Sequence, residues 1–86
     1  MPEISRFYGI VIQMYWDDHN PPHFHAIYGS DMAQIGIDPI EIIKGRLPGR
    51  AWKLVRQWAR EHRAQLMENW WLCAARRSPR AIAGLD

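Results

Sequence analysis

Cysteine occurs once in the chain, at Cys73, and no apolar run approaches the length of a membrane span. A lone thiol excludes an internal disulfide framework and the cysteine-based zinc-finger spacings. Between Trp71, Leu72, Ala74 and Ala75 it reads as a small buried hydrophobe rather than a nucleophile. Ile10-Val11-Ile12 is far shorter than the roughly 20 apolar residues of a spanning helix, and Met1-Pro2-Glu3 lacks the basic start of a secretory leader. The expected location is therefore cytoplasmic, with no membrane partner. Also missing are internal repeats, low-complexity tracts, an HExxH pair and a nucleophile set beside a base.

Aromatic mass is plentiful, with five Trp, three Tyr and two Phe in 86 residues. That is enough to build one small core without disulfides. The expected organisation is a single compact domain over residues 1–76 and a flexible basic tail over 77–86. Charge divides sharply along the chain. Residues 1–43 hold one arginine against six acids, a net −5, and residues 44–86 hold ten basic residues against three acids, a net +7. Such polarity bears on partners more than on fold, and fits an acidic protein, nucleic acid or a second copy of the chain.

Hydrophobic periodicity changes near Pro48. Before it, Ile10–Trp16 is β-branched and aromatic, and His23–Tyr28 alternates with period two, placing Phe24, Ala26 and Tyr28 on one face and His23, His25 and Ile27 on the other. Gly29-Ser30-Asp31 turns the chain into a returning arm, Met32–Ile37, and Glu41–Arg46 adds an edge strand. After it, Ala51, Leu54, Val55, Trp58 and His62 share one side of a helical wheel, with Lys53, Arg56, Gln57, Arg60 and Arg63 opposite. Leu66, Trp70 and Cys73 resume the apolar stripe, but Met67 and Trp71 fall on another side, so a break is expected near His62-Arg63. The fold class is α+β: a small, mainly antiparallel sheet of three to five strands, then two helices or one kinked helix.

Ligand- and proton-handling groups crowd into Asp17-Asp18-His19-Asn20-Pro21-Pro22-His23-Phe24-His25. On a strand His23 and His25 stand about 7 Å apart on a shared face, a spacing at which two imidazoles can ligate one ion. His19 or one of the two adjacent carboxylates would complete the set, making His19, His23 and His25 the candidate metal ligands. A hydrolytic reading, a phosphodiesterase or ribonuclease, would use His19 as base with Asp18 orienting it and Arg6 or Arg50 holding phosphate. A structural reading makes the same run a proline-stiffened turn with Asp and Asn capping its backbone. His62 reads as a hydrogen-bonded helix residue rather than a further ligand. Arg50, Lys53, Arg56, Arg60 and Arg63 form a cationic helix back suited to phosphates or an acidic partner, with Trp52 beside them as an interface aromatic.

The opening Met1–Ile12, the run Asp18–His25, and Trp58–Arg63 with Leu66 and Glu68-Asn69-Trp70 resemble the domain of unknown function 4160 family of small bacterial proteins. The resemblance spans roughly residues 2 to 76, and maps that family's signature to His19–His25, His62, Arg63 and Trp70. It implies a two-gene module with a small protein of the 2442 family, for which a toxin–antitoxin role is suspected. It implies no established activity and no cofactor, a divalent metal being the one that the histidines admit. Arg56, Arg60 and the Arg-rich tail depart from the typical acidic members. The expectation is a non-enzymatic binding module, either homodimeric or bound to its small partner protein, with nucleic-acid binding and histidine-based hydrolysis as the alternatives.

Overall fold

The computed structural model describes residues 2–85. Five strands, β1 (Glu3–Phe7), β2 (Ile10–Gln13), β3 (His23–Tyr28), β4 (Asp31–Gly36) and β5 (Ile42–Gly45), precede two helices, α1 (Gly49–Glu61) and α2 (Arg63–Ala74). The fold is α+β, and the strands lie in chain order in one antiparallel meander. Tyr8 and Gly9, with φ of 48° and 78°, make a two-residue turn between β1 and β2 whose twist matches that of the flanking strands.

Register assigns each residue to a face. Ile12 pairs with Ala26, Phe24 with Ile35 and Ala26 with Ala33, and all are buried beneath α1. The helix contributes Ala51, Val55, Trp58 and Ala59. Trp58 sits at the centre, its ring centroid 5.3 Å from that of Phe7 and 5.7 Å from that of Phe24. Replacing so large a buried side chain with alanine would cost about 3–5 kcal/mol.

The expected break falls at His62, whose φ of −124° leaves the helical range. Its ring Nδ1 donates to the Trp58 carbonyl oxygen at 2.9 Å, a bond that fixes the half-buried imidazole at the junction. Beyond it, α2 buries Leu66, Asn69, Trp70 and Cys73. Trp71, off that stripe, is 64% exposed. Burial pushes the Cys73 thiol above its ordinary pKa, so it is a packing group and not a reactive one.

The segment after α2 differs from the flexible tail expected over 77–86. Ile82 is buried and its N–H donates to the Ile4 carbonyl at 2.7 Å, covering the free edge of β1. Trp58 Nε1–H donates to the Ala83 carbonyl at 2.7 Å, and Asn69 exchanges two 2.8 Å hydrogen bonds with the backbone of Arg80. Core side chains thus supply hydrogen-bond partners to the described part of that segment, residues 77–85. Among the described residues, no helix is long and apolar enough to cross a membrane.

Candidate functional site

β3 delivers His23 and His25 to the sheet face opposite the core, paired across the ladder with Gly36 and Gln34. Neither imidazole is left to solvent: His23 is 4% exposed and His25 6%. The loop between β2 and β3 folds over them. Tyr15 meets His25 edge-on with centroids 4.4 Å apart, and Trp70 of α2 meets His23 at 5.4 Å.

The loop is fastened to the end of α2. That helix closes with Arg77 N–H donating to Leu72 O and Arg76 N–H to Cys73 O, with Arg76 itself in the left-handed region at φ 58°. Arg76 reaches the Asp17 carboxylate at 2.6 Å, and the Trp16 indole N–H donates to the Arg77 carbonyl at 3.1 Å. With Asp17 turned outwards at φ 54°, its neighbour Asp18 turns inwards.

Asp18 is the third member of the cluster. Its Oδ2 lies 3.0 Å from His23 Nε2 and 3.1 Å from His25 Nε2. Its Oδ1 accepts the His19 backbone N–H at 2.9 Å. Partial burial works against its ionisation. The His25 hydrogen bond, the His19 N–H and, where the imidazoles are protonated, the charges of His23 and His25 outweigh that, and hold the carboxyl below the ordinary carboxylate value. Asp18, His23 and His25 are thus the residues placed to hold a metal ion, their ligand atoms all within 4.8 Å of one another.

His19 is not part of this set. It is exposed, and only its backbone meets Asp18. The catalytic arrangement of His19 as base oriented by Asp18 is therefore not formed, because the Asp18 side chain is committed to the two β3 histidines. Arg6, a candidate phosphate holder, is paired with Glu3 at 2.7 Å.

Four of the cationic residues lie on α1, with Arg50, Lys53 and Arg60 exposed and Arg56 half-buried, and the fifth, the exposed Arg63, opens α2 beyond the break. None of the five is in an ion pair among the described residues. Trp52 is half-buried against the core, with the Arg56 guanidinium 5.8 Å from its ring centroid, so it is less available than its sequence position suggests. The exposed indoles are instead Trp16, at 50%, and Trp71. Trp71 lies off the apolar stripe of α2, whereas Trp16 continues the alternation of Ile10, Ile12 and Met14, so nothing in the pattern marks it as exposed. Beside Trp16, a cleft of ≈ 590 Å³ is lined by Pro2, Tyr15, Trp16, Ser78 and Pro79.

No curated protein and no solved structure matches the chain. The family described as "Domain of unknown function (DUF4160)" matches residues 9–71, a stretch that takes in β2 to β5, the Asp18–His25 cluster, α1 and most of α2. The chain belongs to that family.

Proposed function

We propose that the protein is a non-enzymatic binding module whose partner is another small protein, as one component of a toxin–antitoxin-like two-gene pair. The observation that carries this reading is the exposure of two indoles, Trp16 at 50% on the loop over β3 and Trp71 at 64% on α2. Large aromatic side chains left in water cost a lone domain solubility, and they are enriched among the residues that dominate protein interfaces. The cleft at Trp16 offers a partner side chain a cavity between Tyr15 and Pro79. A small protein of the 2442 family is the partner to try first.

Calorimetric titration of the protein with the product of its neighbouring gene tests this. A saturable complex is expected, and Trp16→Ala or Trp71→Ala should weaken it by about 2 kcal/mol, roughly thirtyfold. A protein that stays monomeric and takes up no heat from its neighbour contradicts the reading.

A second reading rests on the five cations Arg50, Lys53, Arg56, Arg60 and Arg63, which have no acidic partner among the described residues. They support a phosphate-contacting surface for nucleic acid. Its affinity would fall steeply with salt, with a slope of about −0.9 per phosphate contacted on duplex DNA. Binding that survives replacement of Arg56, Arg60 and Arg63 by alanine would eliminate that surface.

A further inference from the structure

We propose that Asp18, His23 and His25 form a mononuclear site for a divalent transition-metal ion of zinc-like chemistry. This goes beyond the partner-binding reading and stands without it. Hydrogen accounting is the starting point. His23 Nδ1 lies 2.8 Å from the Pro21 carbonyl oxygen, which can only accept, so Nδ1 carries a hydrogen and donates it. A neutral His23 then presents a bare lone pair at Nε2. Nε2 stands 3.0 Å from Asp18 Oδ2 yet is buried without any hydrogen-bond partner, so its ring-plane direction does not run along that line. A bare imidazole nitrogen and a carboxylate oxygen lie side by side, an arrangement that one shared positive centre, off the line between them, would satisfy.

His25 aims its Nε2 at the same oxygen from 3.1 Å. Ligand atoms bound at 2.0–2.2 Å to a common ion stand about 2.9–3.5 Å apart along the edges of an octahedron or a tetrahedron. Two of the three separations in the cluster already have that size. The second coordination sphere is half built: Pro21 fixes the His23 ring through Nδ1, as a carbonyl does behind a metal-bound imidazole. His25 Nδ1 is buried and unpartnered, so it would carry its hydrogen without an acceptor. A missing outer partner of this kind weakens metal affinity by about 10- to 100-fold.

The donor set selects the ion. Two imidazoles and a carboxylate without a thiolate suit Zn²⁺, Co²⁺, Ni²⁺ or Fe²⁺ over both soft Cu⁺ and oxygen-seeking Ca²⁺ or Mg²⁺. Three protein ligands leave the remaining positions to water, and the Asp18 side chain is 19% exposed, so solvent reaches its edge of the site. The rival occupant is a proton on His23 Nε2, which would satisfy the same pair without metal.

Titration of the chelator-treated full-length protein separates the two, with ZnCl₂ followed by calorimetry and CoCl₂ by visible absorption. Uptake of a single equivalent is expected, with ligand-field bands for Co²⁺. Asp18→Asn, His23→Ala and His25→Ala should each weaken binding at least about tenfold, whereas His19→Ala keeps the wild-type affinity. Circular dichroism reports whether each variant folds, and the wild-type titration decides the matter if one does not. A folded wild type that takes up neither ion at ~1 mM, or folded Asp18→Asn and His25→Ala that bind as the wild type does, overturns the proposal.

Discussion

Asp17 and Arg76, both held in the left-handed backbone region at φ 54° and 58°, are joined side chain to side chain at 2.6 Å. The pair links the loop over the histidines to the end of α2. Both side chains are more than half exposed, so the ion pair itself contributes little, between about 0 and 1 kcal/mol. The left-handed backbone of a non-glycine residue costs about 1–2 kcal/mol, which is the larger effect. Arg76→Gly should therefore match or exceed wild-type stability, and Arg76→Ala, which keeps the strain and loses the pair, should fall below it. Thermal unfolding of the three proteins checks the order, and Arg76→Gly falling below Arg76→Ala would refute it.

Asn69 is 1% exposed and holds both the N–H and the C=O of Arg80. Asn69→Ala strands those groups and should destabilise the fold by about 1–3 kcal/mol. Removing residues 78–86 also uncovers Ile4, Trp58 and the edge of β1, and should cost at least as much. Urea denaturation measures both losses. An unchanged midpoint in the truncated chain would mean that the tail contributes nothing to the domain.

The pH dependence of the metal-free protein follows from Asp18. Its carboxyl titrates lower in the folded chain than in the unfolded one, where the ordinary value is 3.8. Below that value the unfolded state binds more protons, so the contribution is complete above about pH 5 and is lost as pH falls through the depressed folded value. Asp18→Asn should flatten this acid limb. The check is a set of urea titrations between about pH 2 and 6, in which an equally steep loss in the variant would remove Asp18 from the account.

Gly45 has φ 81°, and a Cβ there would collide with the Met32 carbonyl oxygen. Gly45→Ala should push β5 away from β4, at a cost of about 1–3 kcal/mol. Hydrogen exchange at Arg46, whose N–H donates to that same carbonyl at 3.0 Å, reports the separation directly. Retained protection at Arg46 in the variant would contradict it.

Period-two alternation was sufficient to put His23 and His25 on one face, and the misfit of Met67 and Trp71 with the helical stripe was sufficient to break the helix near His62. Choosing between Asp17 and Asp18 was beyond the pattern. Adjacent residues point apart in any extended chain, and which one turns inwards depends on a left-handed Asp17 and a cation arriving from α2, some 60 residues away in sequence. The docked tail was equally hidden. Its anchors are the carbonyls of Arg80 and Ala83 and the N–H groups of Arg80 and Ile82, groups that every sequence offers, and its large aliphatic residues, Ile82 and Leu85, are only two among polar and small residues. Trp52, a candidate interface aromatic by its place beside the cationic residues, is partly packed against the core, with Arg56 one turn on over its ring.

The central claim is that the histidine-rich run resolves into one convergent unit, Asp18 with His23 and His25, and leaves His19 outside. Ring-nitrogen NMR of the ¹⁵N-labelled protein, recorded before and after addition of ZnCl₂, tests it residue by residue. The expected spectra keep a hydrogen on His23 Nδ1 throughout, show Zn²⁺-induced shifts at Nε2 of His23 and His25, and leave the signals of His19 and His62 unchanged. Shifts centred on His19, or no response from the β3 pair, would contradict it.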